Sequence, residues 1–112
     1  MTMKNVNNIT SMSEIREGKG IWLVDCWATW CGPCKGVDLI MQEAVDGQDV
    51  IIAKANTDNN PQIVTDCNIM TIPTILFFTN GNLVDRITGR SSKDQMIHDI
   101  QKKIQECKED LK

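Results

Sequence analysis

Residues 21–35 read IWLVDCWATWCGPCK, and the fold turns on how this stretch divides. Ile21 to Trp27 are almost continuously apolar, the pattern of a strand buried on both faces of a parallel sheet. Cys31-Gly32-Pro33-Cys34 then set two cysteines two residues apart, where strand gives way to helix. The spacing predicts a helix over residues 33–45. Val37, Ile40, Met41 and Ala44 share one face of it, Pro33 suits its first turn, and Gly47 lies beyond its end.

Outward from this stretch, Val50 to Ala55 reads as a second strand, Pro61 opens a short helix to Cys67, and Thr74 to Thr79 is a third strand. Asn80-Gly81 signals a tight turn, so Leu83 to Ile87 is expected to return antiparallel as an edge strand. The last helix starts at a capping box of Ser92 and Gln95. Its stripe is Ile97, Ile100, Ile104, Cys107 and Leu111. Towards the N-terminus, Ser11 and Glu14 cap a short helix stopped by Gly18, and residues 4–9 add a strand. Strand–helix–strand followed by a hairpin and a helix is an α/β architecture with a mixed sheet. At 112 residues the chain is expected to form one domain, residues 1–112.

Composition narrows the function classes. An apolar fraction of 41% and a charged fraction of 24% are ordinary for a globular protein. The 12 basic and 15 acidic residues are mixed along the chain, without a basic stripe for nucleic acid. The first twenty residues are polar, unlike a signal peptide, and no apolar run reaches membrane-spanning length. Five cysteines, three of them at no repeating interval, argue for a reducing compartment, so the expected location is the cytoplasm.

A helix N-terminus carries unpaired N–H groups and partial positive charge, which favours a thiolate. Cys31, at that turn, is therefore expected to be the more exposed sulfur and the nucleophile with a lowered pKa. Cys34, three residues on, can close a disulfide with it. Gly32 leaves the surface bare for a partner chain, and Pro33 stiffens the turn. A zinc site needs further ligands, and the one histidine, His98, lies on the far helix, so no metal is expected. Asp25, inside an apolar strand, bears a desolvation cost that raises its pKa. It is placed to exchange a proton with Cys34, directly or through water. The alternative is a carboxylate satisfied by backbone amides or paired with Lys54 on the neighbouring strand.

The run Val24-Asp25-Cys26-Trp27-Ala28-Thr29-Trp30-Cys31-Gly32-Pro33-Cys34-Lys35 resembles the active-site signature of the thioredoxin family. The resemblance continues through residues 53–58, Asn60-Pro61, Thr71-Ile72-Pro73-Thr74 and Phe78-Thr79-Asn80-Gly81 to Gly89. It covers residues 21–105. Residues 1–20 match poorly, and 106–112 finish the last helix. The resemblance implies the thioredoxin fold, a central mixed sheet with helices on both faces. It also implies a protein disulfide reductase in which Cys31 attacks the target disulfide and Cys34 resolves the mixed disulfide. Asp25 is then the buried acid/base, with Lys54 modulating its charge. Pro73 is a cis-proline facing the cysteines, and the Ile72 backbone holds substrate as an added strand. Trp30, Gly32, Pro33, Ile72 and Gly89 form an apolar docking surface for disulfide-containing targets. No cofactor is bound; reducing equivalents come from NADPH through thioredoxin reductase, and the protein acts as a monomer.

Three positions depart from the family pattern. Cys26 replaces an aromatic residue, and Leu39 replaces a helix-kinking proline, which is expected to straighten the helix and regain a backbone hydrogen bond. Asp38 is read as a solvent-facing or docking charge. Cys26 and Cys67 are read as packed thiols, with a regulatory role for Cys67 as the alternative. Cys107 is read as a thiol near a frayed helix end, open to oxidation between chains. Trp22 is read as core, and Trp27 as a support of the active turn. The rival readings are a binding scaffold with incidental redox chemistry, an oxidase or isomerase, and a metal site.

Overall fold

In the computed structural model, which describes residues 4–9 and 11–112, strand β2 (Ile21–Trp27) runs between two partners. Strand β3 (Val50–Asn56) lies parallel on one side and β4 (Thr74–Thr79) antiparallel on the other. Strand β1 (Lys4–Asn8) adds parallel to the far edge of β3, and β5 (Asn82–Thr88) adds antiparallel to β4. The five-stranded mixed sheet has the order β1-β3-β2-β4-β5. Residues 1–3 and 10, part of the poorly matching N-terminal segment, lie outside the described residues.

Alternation along the strands sorts the core into two layers. Ile21, Leu23, Ile52, Ile75 and Phe77 pack against helices α2 (Val37–Ala44) and α4 (Lys93–Asp110). Val24, Cys26, Ala53, Leu76 and Phe78 face the opposite layer, where α1 (Met12–Arg16) contributes Met12 and Ile15 and α3 (Pro61–Asp66) contributes Ile63. Helices thus cover both faces of the sheet. Asp25 and Lys54 continue the rows that face α2, side by side in register. No helix among the described residues is long and apolar enough to cross a membrane.

The helix expected over residues 33–45 is broken. Gly32–Cys34 form a single 3-10 turn, Lys35 is extended, and Gly36 adopts the left-handed conformation at φ 80° before α2 begins at Val37. Glycine enters this region without a Cβ penalty. The α-helix therefore starts four residues later than expected, and its N-terminus does not fall at Cys31. Leu39 does not straighten the helix either. Its N–H falls in the first turn of α2 and donates to Asp38 Oδ1 (3.0 Å), while the carbonyl it would meet in a continuous helix, that of Lys35, accepts from Arg90 Nη1 (2.9 Å).

In α4, Ser92 Oγ accepts from the Gln95 N–H (3.2 Å), but the Gln95 amide donates to Asp99 Oδ1 (2.8 Å), so only one half of the expected capping box forms. The buried stripe, however, is Met96, Ile100, Ile104 and Cys107. Ile97 is only partly buried, and Leu111, beyond the helix end, is exposed. Trp22 is half-buried, its ring filling the space beside Gly18. The β4–β5 hairpin turns through Asn80 (φ 47°) and Gly81 (φ 82°), both left-handed, as a two-residue turn that matches strand twist demands. Asn80 Oδ1 accepts from the Gly20 N–H (2.8 Å), tying the hairpin to the start of β2.

A Cβ at Gly81 collides with the Arg16 carbonyl, whereas one at Gly47 (φ 77°) meets open space. Gly81→Ala is therefore expected to cost about 3 kcal/mol and Gly47→Ala about 1 kcal/mol. Urea unfolding measures both, and equal costs would show that the hairpin is not seated on α1.

Candidate functional site

Strand β2 ends at Trp27, and the chain turns at once, with the Cys31 N–H donating to the Ala28 carbonyl (3.1 Å). The Cys34 and Lys35 N–H groups then close on the carbonyls of Cys31 (3.2 Å) and Gly32 (3.1 Å). This short turn brings the Cys31 and Cys34 Cα atoms to 5.4 Å, and a disulfide joins the two side chains. The pair packs with Ala28 against Trp27 and Ile72. Cys31 is not the more exposed residue, at 5% against 7% for Cys34, because this packing covers both.

The other docking residues surround the turn. Gly32 and Pro33 are exposed, and nothing lies within 4 Å of where a Gly32 Cβ would stand. Trp30 is 70% exposed and donates its indole N–H to Asp58 Oδ2 (3.0 Å). The Ile72–Pro73 peptide bond is cis, and the buried Pro73 accepts on its carbonyl from the Gly89 N–H (2.8 Å). Trp30 and Ile72 share a groove with Met70, which is almost fully exposed. Arg90 crosses from the loop after β5 to the Pro33 (3.4 Å) and Lys35 carbonyls.

Beneath the turn lies a cleft of about 280 Å³ whose lining includes Asp25, Cys34, Asp38 and Lys54. Asp25 is 1% exposed, and its Oδ1 has no hydrogen-bond partner among the described residues. Burial pushes its carboxyl up to about 7; the Lys54 ammonium opposes the shift and Asp38 adds to it. Lys54 does not pair with Asp25, as one alternative expected. Its ammonium binds Asp38 Oδ2 at 3.2 Å and lies 5.1 Å from the centre of the Trp27 ring. Asp38 is thus an ion-paired, half-buried residue and not a free solvent-facing charge.

The site brings a disulfide, a buried acid that can hold or release a proton near neutral pH, and an open surface into one place. Such an arrangement suits thiol–disulfide exchange coupled to proton transfer. Asp38 and Arg90 were not legible as site residues. Asp38, one helical turn beyond Cys34, carried a faint signal in that spacing; Arg90 carried none.

The remaining cysteines are buried and free. Burial pushes the Cys26 thiol up to about 12 and that of Cys107 up to about 11, and it raises that of Cys67. Cys107, at 1% exposure, is a core residue and not the accessible thiol expected near a frayed end. Among the described residues no group of three or more His, Cys, Asp or Glu could hold a metal ion.

Comparison with known proteins agrees with this geometry. The family model described as Thioredoxin matches residues 2–102. A thioredoxin of Griffithsia pacifica is 36% identical over 106 residues, 93% of this chain and 97% of that one. A bifunctional thioredoxin reductase/thioredoxin of Mycobacterium leprae is 39% identical over 80 residues, 70% of this chain and 18% of that one. The crystal structure of Malassezia sympodialis thioredoxin superposes with a TM-score of 0.74 at 29% identity, covering 91% of this chain and 93% of that one.

The raised carboxyl sets a pH dependence of stability. An aspartate in an unfolded chain ionises near pH 4, whereas folded Asp25 ionises near 7. Between these values the folded state holds the extra proton, so stability falls as pH rises and the loss is complete above 7. Asp25→Asn is expected to be more stable than the parent by about 4 kcal/mol at pH 8 and to lose that advantage below pH 4. Denaturant unfolding across this range measures the difference, and a constant difference would mean that Asp25 ionises as it does in water.

Proposed function

This chain belongs to the thioredoxin family, and we propose that it serves, as one domain spanning residues 1–112, as a general reductase of protein disulfides. It is a thiol–disulfide oxidoreductase whose redox-active centre is Cys31–Cys34, and proteins of this family need no bound cofactor.

In the proposed cycle the Cys31 thiolate attacks one sulfur of the target disulfide. A Cys31–target disulfide forms, and the other target sulfur leaves as a thiolate that takes a proton from solvent. Cys34 gives its proton to the Asp25 carboxylate, and the resulting thiolate attacks Cys31 Sγ. The second target sulfur leaves and is protonated in turn. Two electrons have moved to the target, and Cys31 and Cys34 are joined. Lys54 modulates the charge of Asp25 from the adjacent strand. Targets dock on Trp30, Gly32, Pro33, Ile72, Pro73 and Gly89.

One observation carries this reading: a disulfide on an open turn shares its cleft with a buried carboxyl raised to about 7. An acid poised there accepts a proton from Cys34 in one direction and returns it in the other. The fused Mycobacterium leprae relative supports thioredoxin reductase as the partner that restores the dithiol, and in the proposed cycle that reductase draws on NADPH. Three free buried thiols are consistent with a reducing compartment, and we place the protein in the cytoplasm as a monomer.

Reduction of insulin by dithiothreitol tests the assignment. The parent is expected to accelerate it, Cys31→Ser to return the rate to the dithiothreitol background, and Cys34→Ser to accumulate a mixed disulfide through Cys31. Full activity in Cys31→Ser would overturn the assignment.

A further inference from the structure

Asp25, Asp38 and the Lys54 ammonium share the cleft beneath the redox turn, and Lys35 lines it from the exposed side. Asp25 and Lys54 are register partners on adjacent strands, so the lysine starts from a position beside the buried acid. Yet its ammonium is bound at 3.2 Å by Asp38, while Asp25 Oδ1 has no hydrogen-bond partner among the described residues. Asp38 is itself fixed. The break at Gly36 starts α2 at Val37, which puts Asp38 in the first turn, and its other oxygen accepts the Leu39 N–H at 3.0 Å. The Trp27 ring flanks the ammonium.

We propose that Asp38 is a positioning residue for the proton step, holding the Lys54 ammonium at the cleft so that it does not pair with Asp25, which remains a neutral acid in the disulfide state. The proposal rests on the reading of Asp25 as the acid/base for Cys34.

The electrostatics favour this division. An ammonium paired directly with a carboxylate lowers its pKa by roughly 1–3 units, which would leave Asp25 ionised when Cys34 needs an acceptor-and-donor poised near neutrality. Asp38 is about a third exposed, so water reaches its carboxylate, unlike that of Asp25. It is the better permanent partner for Lys54. The other groups facing Asp25 do not supply a competing cation at the carboxyl. Lys35 lines the cleft from the exposed side, Ile75 stands opposite on β4, Cys26 beside it stays a thiol, and Cys31 and Cys34 are joined.

The test is carboxyl carbon NMR titration of Asp25 in the oxidised protein, for the parent and for Asp38→Ser, which keeps a hydroxyl to accept the Leu39 N–H. Each is also measured in a Lys54→Met background. Asp38→Ser is expected to lower the Asp25 midpoint by about one pH unit with Lys54 present and by less than half as much without it. A shift below about half a unit in the first case, or one that persists by half or more without Lys54, overturns the proposal. The titration involves no turnover. Failure of the reductase reading would instead show as insulin reduction by the parent no faster than dithiothreitol alone.

Discussion

The structure depends on the burial of β2 at the centre of the sheet. Flanked by β3 and β4 and covered on both faces by helices, this strand can carry only apolar side chains or polar ones whose burial is offset. Six of its seven residues satisfy the requirement directly or lie near its margins. Asp25 does not. Its carboxyl is kept near neutrality because the surroundings that make β2 a stable centre penalise its charge. The same strand then delivers the chain to the surface, and the cysteine pair forms within a few residues of its end. Core packing and proton chemistry are therefore one constraint seen at two points along the strand.

The break at Gly36 divides what a continuous helix would unify. A helix running on from Cys34 would bond the Leu39 N–H to the Lys35 carbonyl. Here that carbonyl is taken by Arg90 and that N–H by Asp38. Backbone groups are satisfied by side chains at each end of the gap. The redox turn is consequently clamped to the loop after β5, where Gly89 bonds to Pro73. Docking surface and cysteine pair share a support outside the helix.

Much of the fold was legible because period and punctuation agreed. The apolar runs of β2 and β4, the Asn80-Gly81 turn and the Ser92 cap all have local causes that tertiary contacts reinforce. The cysteine pair and Asp25 were legible for the same reason, as a reactive spacing and a charge where none belongs. Gly36 was passed over inside a helical pattern although a mid-helix glycine is itself a warning. The Asp38–Lys54 pair and the Arg90 clamp join residues from different elements, and their partners follow from the broken geometry that the helical pattern concealed. Met96 took the place of Ile97 at the start of the α4 stripe, and Leu111 fell outside it because the helix ends at Asp110 and leaves that side chain exposed.

The most direct measurement is the reduction potential of the Cys31–Cys34 couple. The protein would be equilibrated in graded dithiothreitol buffers and its thiols counted by alkylation. The expected result is a single two-electron transition near the value known for thioredoxins, about −270 mV, with Cys26, Cys67 and Cys107 unmodified throughout in the folded protein. A transition near −120 mV, the range of a strong oxidant, or the absence of any cooperative two-electron step, would contradict a disulfide reductase built on this pair.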